Sequence, residues 1–230
     1  MKSLPSQVDY LPGSGIQGSN IQTRCAVGEP LWYFHGYKTA GLDENGAVLY
    51  KHADGTASTT PNAEEMTNIG SGLPKVTYGI TINLDYKGFD FLLFGTGVAG
   101  NKIAPTAFRP DRLYCNTYSW FYEKAGSEFP SISPGNWTQD AFSTDMCVFN
   151  GSYFKFKQIQ LGYTLPATLT KKAFIDNLRV YASLENFFTI TKYVGLDPET
   201  ASANTSNQLG FDFGTYPTAK QFIMGLNVTF

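Results

Sequence analysis

The sequence has little of what would mark an enzyme or a nucleic-acid binder. Its 230 residues include only two histidines, His35 and His52, and three cysteines, Cys25, Cys115 and Cys147. Neither histidine has ligand partners at metal spacing, so no metal site is expected. The cysteines are odd in number, far apart and without a CxxC pair; three unpaired thiols are expected, with one disulfide as the alternative. No basic run occurs, and a formal net charge of -2 gives no case for nucleic acid. No serine, cysteine or histidine constellation supports nucleophilic catalysis, and no cofactor is expected. Long apolar runs are missing too. The best candidate, Phe91 to Ala99, is about half the ~20 residues that a membrane helix needs. A slightly negative mean hydropathy does not exclude a membrane barrel, because only alternate residues of a barrel strand face lipid. Met1 to Gln7 contains no apolar signal-peptide core, which leaves either a cytoplasmic protein or a chain that is part of a longer one.

What is abundant points to strands and turns. There are 14 Tyr, 18 Phe and 23 Gly, suited to pleated surfaces and sharp reversals. The last eleven residues alternate: Phe222, Met224, Leu226, Val228 and Phe230 share one face, and Gln221, Gly225, Asn227 and Thr229 share the other. Tyr78, Ile80, Ile82, Leu84 and Tyr86 alternate with Thr77, Gly79, Thr81, Asn83 and Asp85 without exception. Aromatics close both ends of that stripe, as at the two interfaces of a lipid-facing strand. Leu178, Val180, Ala182, Leu184 and Phe188 alternate with Arg179, Tyr181, Ser183, Glu185 and Phe187. In Ser152 to Tyr163, Lys155 and Lys157 fall on the parity of Ile159 and Leu161, which predicts either a bulge or an end above the membrane. Six antiparallel strands are expected, near 31–38, 76–86, 89–99, 152–163, 178–190 and 219–230. Residues 1–30 yield no element, and Ala53 to Pro74 reads as a loop.

The connections alternate in length. Residues 87–88 and 164–177 are short, whereas 43–74, 100–151 and 191–217 are long. Outer-membrane barrels sort their connections this way, with short turns inside and long loops outside. The competing architecture is a soluble β-sandwich whose aromatic loops bind carbohydrate. The sandwich would bury Ile80 and Leu226 in a dry core; the barrel would turn them outward.

Several local patterns invite chemistry. Gly95-Thr-Gly-Val-Ala-Gly100 spells GxGxxG after an apolar run, but a dinucleotide turn needs a helix next, and Pro105 opposes one; glycines where a strand gives way to a loop is the better reading. Asp197 and Glu199 flank Pro198 and read as loop-shaping rather than as an acid–base pair. Trp120, Tyr122 and Trp137 could stack on sugar rings, against the plainer alternative of loop packing. Arg179, Ser183 and Glu185 lie on the polar face of their strand and are candidate lumen-lining residues, against the alternative of a solvated wall.

Ordered motifs then carry a resemblance: Phe34-His-Gly-Tyr-Lys38, Gly70-Ser-Gly-Leu-Pro-Lys75, Tyr86-Lys-Gly-Phe-Asp90, Gly97-Val-Ala-Gly-Asn-Lys102, Gln158 to Pro166, Glu185-Asn-Phe-Phe188, Gly195-Leu-Asp-Pro-Glu199 and Gly225 to Phe230. Together they resemble the SusC/RagA family of TonB-dependent outer-membrane transporters of Bacteroidetes, over residues 26–230. The resemblance implies an all-β fold: the carboxy-terminal segment of a large antiparallel transmembrane β-barrel, an open curved sheet in isolation. All of residues 1–230 would belong to that segment, with plug and amino-terminal strands absent. It also implies the bacterial outer membrane, import of glycans, peptides or similar large solutes, and no enzymatic activity. The implied partners are a SusD-like surface lipoprotein, the TonB system through the plug region, outer-membrane lipid and the barrel assembly machinery. The last strand, with Phe222, Met224, Leu226, Val228 and Phe230, would be the assembly signal. Residues 53–69 hold only Asp54, Glu64 and Glu65 as acids, so no cation site is carried over.

Overall fold

The computed structural model describes residues 8–16, 19–106, 119–133, 135–202 and 206–230. The strands of the first half are β1 (Tyr10–Gly15), β2 (Gln22–Ala26), β3 (Tyr33–Gly36), β4 (Thr39–Leu42), β5 (Val48–Lys51), β6 (Ala57–Ser58), β7 (Thr67–Ser71), β8 (Val76–Tyr86) and β9 (Phe89–Ala99). Then come β10 (Lys102–Pro105), β11 (Phe149–Asn150), β12 (Tyr153–Thr164), β13 (Asn177–Thr191), β14 (Phe211–Asp212) and β15 (Gln221–Thr229). Among the described residues no helix is long and apolar enough to cross a membrane, which says nothing against crossing by strands. The chain divides into two compact units, Met1–Lys75 with Ala99–Ser152 and Lys192–Pro217, and Val76–Val98 with Tyr153–Thr191 and Thr218–Phe230.

The second unit is one five-stranded sheet in the order β15-β13-β12-β9-β8, a meander in which each strand lies beside the next strand of that sheet in chain order. β8 and β9 are joined by Lys87 and Gly88 alone, with φ of 47° and 86°. Two left-handed residues make a turn whose twist matches the strands it joins. Gly88 suits it, whereas Lys87 carries a cost of about 1–2 kcal/mol.

Register sorts the faces as the alternation predicts. Leu161 stands opposite Phe91 and Ala182, and Ala182 opposite Met224. Ile159 stands opposite Leu93 and Leu184, and Leu184 opposite Phe222. Ile80 is 45% exposed and Leu226 is 61% exposed. Neither is buried in a dry core, so the sandwich alternative falls. The lysine anomaly is a bulge: register shifts between Phe156 and Gln158 on both sides of β12. The shift places Lys155 opposite Thr96 and Thr189, where it is buried and its Nζ donates to Thr218 Oγ1 at 3.4 Å.

The first unit holds three smaller sheets, in the orders β1-β2-β3-β7, β4-β5-β6 and β11-β10-β14, with β10 and β14 parallel. Here the sequence reading needs correction. The expected strand at 31–38 is not a member of the five-stranded sheet; Tyr33–Gly36 is an inner strand of the first unit, flanked by β2 and β7. The physical reason is two-sided burial: Tyr33, Phe34 and Gly36 are all buried, whereas a barrel strand has one outward face. The loop expected at 53–74 contains β6 and β7, and residues 1–30 contain β1 and β2. These strands are two to six residues long and carry no run of alternating apolar residues, which leaves little side-chain signature.

Residues 129–148, within the long connection at 100–151, supply much of the core. Phe129, Trp137, Phe142, Cys147 and Val148 pack with Ile16, Ile21, Phe34, Ile69 and Phe211. Phe34 stacks on Phe211 at 5.5 Å between centroids, and Trp137 Nε1 donates to the Pro130 carbonyl at 3.0 Å. Cys25 and Cys147 are free and buried, and burial pushes the Cys147 thiol up to about 12. Cys115 lies outside the described residues.

One half-buried group makes the first unit acid-sensitive. Arg24 Nη1 lies 3.1 Å from His35 Nε2, and its guanidinium sits 4.0 Å over the Tyr10 ring. Burial, and then the Arg24 charge, lower the His35 pKa to about 4. Unfolded histidine titrates near 6.5, so between those values the unfolded chain binds the proton and the native chain does not. The contribution is whole above about pH 6.5 and is lost as pH falls toward 4. In urea titrations of a variant carrying Trp32→Phe and Trp120→Phe, Trp137 fluorescence should report a folded state about 1–2 kcal/mol weaker at pH 5 than at pH 7, and His35→Gln should remove most of that difference. In the same urea titration, followed by tyrosine signal, Lys87→Gly should stabilise the sheet by about 1 kcal/mol.

Candidate functional site on the polar face of the five-stranded sheet

The polar face is built from cross-strand rows. In one row Asp90, Gly162, Tyr181 and Gly225 stand side by side on β9, β12, β13 and β15. Large side chains alternate with glycine, and the large ones lie flat across the gaps. Arg179 donates from Nε to Asp90 Oδ1 at 2.9 Å and from Nη2 to Asp90 Oδ2 at 2.5 Å, the two-pronged arrangement that fixes both groups. The pair crosses directly above Gly162, where a Cβ would lie 2.4 Å from Asp90 Oδ1 and 2.6 Å from Arg179 Nη2. The Arg179 guanidinium also sits 4.8 Å from the Tyr181 ring centroid, and that ring covers Gly225.

The next rows are polar but loosely bonded. Ser183 stands opposite Gln160 and Ile223; it is buried, with no partner for its Oγ among the described residues. Glu185 stands opposite Gln158 and Gln221. Gln158 Nε2 donates to Gln160 Oε1 at 3.4 Å. Arg179, Ser183 and Glu185 therefore share the face that the alternation assigned them, with the charge of Arg179 engaged by Asp90. This surface offers hydrogen-bonding groups along a wall, and pairs no nucleophile with a base. Among the described residues no group of three His, Cys, Asp or Glu side chains could hold a metal ion.

The other patterns resolve as structure. Gly95 and Gly97 lie inside β9 rather than at its end, where the Phe154 and Tyr78 rings close over them; only Gly100, at φ 84°, ends the strand. Asp197 is buried, and its Oδ1 accepts from the Glu199 amide at 3.0 Å at the start of a short helix, Pro198–Ser202. Trp137 is a core residue on which Tyr122 stacks, and the Trp120 side chain lies outside the described residues. Phe222, Met224, Leu226 and Val228 of β15 are exposed, and Phe230 beyond it is 84% exposed. Sequence reasoning passed over Asp90, Gly162, Tyr181 and Gly225. A glycine inside an alternating strand was the available sign, since it marks close approach by another group.

No protein-family model matches the chain. The TonB-dependent receptor SusC of Bacteroides thetaiotaomicron is 32% identical over 96% of the chain and 22% of its own length. The chain is related to the SusC-type TonB-dependent receptors. TonB-dependent receptor P3 of Formosa agariphila is 28% identical over 97% of the chain and 24% of its own length. Among solved structures, the RagAB peptide importer in its open-open state matches all of the chain with 25% of its own, at a TM-score of 0.73 and 21% identity. The chain thus spans about a quarter of the length of the relatives it matches. The five-stranded sheet is an arc of a large antiparallel transmembrane β-barrel, and its place is the outer membrane.

The glycine beneath the ion pair generates a specific expectation. Gly162→Val should break the Asp90–Arg179 contact and destabilise the sheet by about 1–3 kcal/mol, the range for a hydrogen-bonded charge. Measured as a double-mutant cycle with Asp90→Asn, the two costs should fall well short of additive. Strict additivity would mean that the valine acts elsewhere.

Proposed function

We propose that residues 1–230 form the carboxy-terminal portion of an importer for large nutrients, with the five-stranded sheet as wall. The observation that carries this reading is the sorting of one sheet into an exposed apolar face and a polar face, in a chain related to SusC. A membrane-facing barrel wall requires that sorting. The apolar face, with Leu161, Leu184, Met224 and Leu226, meets lipid. The polar face, with Arg179, Ser183 and Glu185, lines the lumen. The turn at 87–88 and the connection between β12 and β13 lie on the periplasmic side. The long connections, 43–74, 100–151 and 191–217, lie on the extracellular side and meet cargo.

The partners follow from the same kinship. A SusD-like surface lipoprotein delivers cargo from outside, and the TonB system supplies energy through a plug region. The assembly machinery reads the last strand through Phe222, Met224, Leu226, Val228 and Phe230. The cargo is a glycan, a peptide or a similar large solute, and the chain performs no chemistry on it.

Single cysteines in the transporter, with the native thiols replaced, test the assignment. In outer membranes Glu185→Cys should react with a water-soluble maleimide much faster than Leu226→Cys or Leu184→Cys. A bulky maleimide at Glu185→Cys should slow nutrient uptake, whereas a lipid-phase label at Leu226→Cys should not. Equal aqueous reactivity at Leu226 and Glu185 would refute the membrane wall.

A further inference from the structure

Two sequence motifs that the barrel wall does not use meet in the first unit. Gly70-Ser-Gly-Leu-Pro-Lys75 and Gly100-Asn-Lys102 line one open pocket of about 410 Å³, walled otherwise by Pro30 and Asn68. Each lysine is laid across a glycine of the other motif. The Lys75 stem crosses Gly100, where a Cβ would lie 2.8 Å from Lys75 Cγ; the Lys102 stem crosses Gly70, where a Cβ would lie 2.8 Å from Lys102 Cγ. Both glycines are at positive φ, 84° and 142°, so a side chain there is disfavoured by backbone as well as by space. The crossings are reciprocal, and they hold two flexible stems against one pocket.

The charged side chains that line the pocket are of one sign, with one carboxylate, Glu29, held by the wall residue Asn68. Its lining contains Lys75 and Lys102 but no acidic side chain, and neither lysine is ion-paired among the described residues. The neutral polar groups of the wall are already engaged. Asn68 gives Nδ2 to Glu29 Oε2 at 2.5 Å and takes the Gly70 amide on Oδ1 at 2.9 Å. Ser71 Oγ accepts from the Leu73 amide at 3.1 Å and donates to the Leu31 carbonyl at 3.4 Å. The remaining donors are two ammonium groups with three N–H bonds each. Two like charges on one pocket repel, and an anion between them turns that repulsion into two charge-assisted bonds.

We propose that this pocket binds an oxyanion, the sulfate, phosphate or carboxylate group of a larger solute, between Lys75 and Lys102. The pocket lies wholly within the first unit, so its anion binding is independent of whether the sheet transports anything.

Amine acylation of the full chain in detergent micelles, read by mass spectrometry, tests this without membrane or uptake. Sulfate, phosphate and acetate are compared with chloride at equal ionic strength. Sulfate or phosphate should slow labelling of Lys75 and Lys102 together by about threefold or more, while Lys171 is unchanged; protection by acetate alone would assign the site to carboxylates. Lys102→Met should abolish the protection of Lys75, and Lys75→Met that of Lys102. Gly70→Ala, which displaces the Lys102 stem, should weaken both, with Trp137 fluorescence confirming that the core is intact. Labelling that ignores the identity of the anion, or protection of Lys75 that survives Lys102→Met, overturns the site.

Discussion

In hydrocarbon a backbone N–H or C=O has no water to turn to, so each must find its partner on a neighbouring strand. That requirement makes register the controlling variable of the five-stranded sheet. A slip of one residue would keep the backbone paired but would move the leucines of a strand to the polar face and Arg179, Ser183 and Glu185 to the apolar one. Two features hold register here. The turn at Lys87 and Gly88 allows β8 and β9 only one pairing, since a two-residue loop has no slack. The bulge at Phe156 and Gln158 takes Lys155 off the apolar face, where strict alternation with Ile159 and Leu161 would put it.

The same chain uses glycine for a second purpose, clearing space for charged side chains to lie down. Gly162 lets Arg179 reach Asp90 across an intervening strand, and Gly70 and Gly100 let two lysines cross each other's motif. The outcomes differ because the neighbours differ. On the sheet the cation finds a carboxylate and becomes part of the wall. In the first unit the cations find none and face a pocket.

What could be read from the sequence follows from this division. The faces of β8, β13 and β15 were legible because one outward apolar face imposes a period of two, which needs no knowledge of neighbours. The bulge was half legible: Lys155 announced a broken parity without showing which way it resolves. The pairing of Asp90 with Arg179 was not legible, because it depends on two registers at once. The first unit was the least legible part. Phe34 is buried on an inner strand and its neighbours are buried too, so its segment shows no alternation to read. β1 and β7 are recognisable only by the backbones they pair with.

The meander also carries information about time. The strands of the sheet follow one another in chain order, but the separations they span differ widely: two residues between β8 and β9, a short helical connection between β12 and β13, and long excursions through the first unit for the other two contacts. Closing a longer loop loses more chain entropy before any contact repays it. The hairpin around Lys87 and Gly88 is therefore the cheapest piece of the sheet to nucleate, and the hairpin of β12 and β13 comes next. The joins of β9 to β12 and of β13 to β15 wait until the first unit has folded and drawn its ends together. Slow folding of Phe34, Phe129 and Phe211 into their core would delay closure of a wall to which none of them belongs.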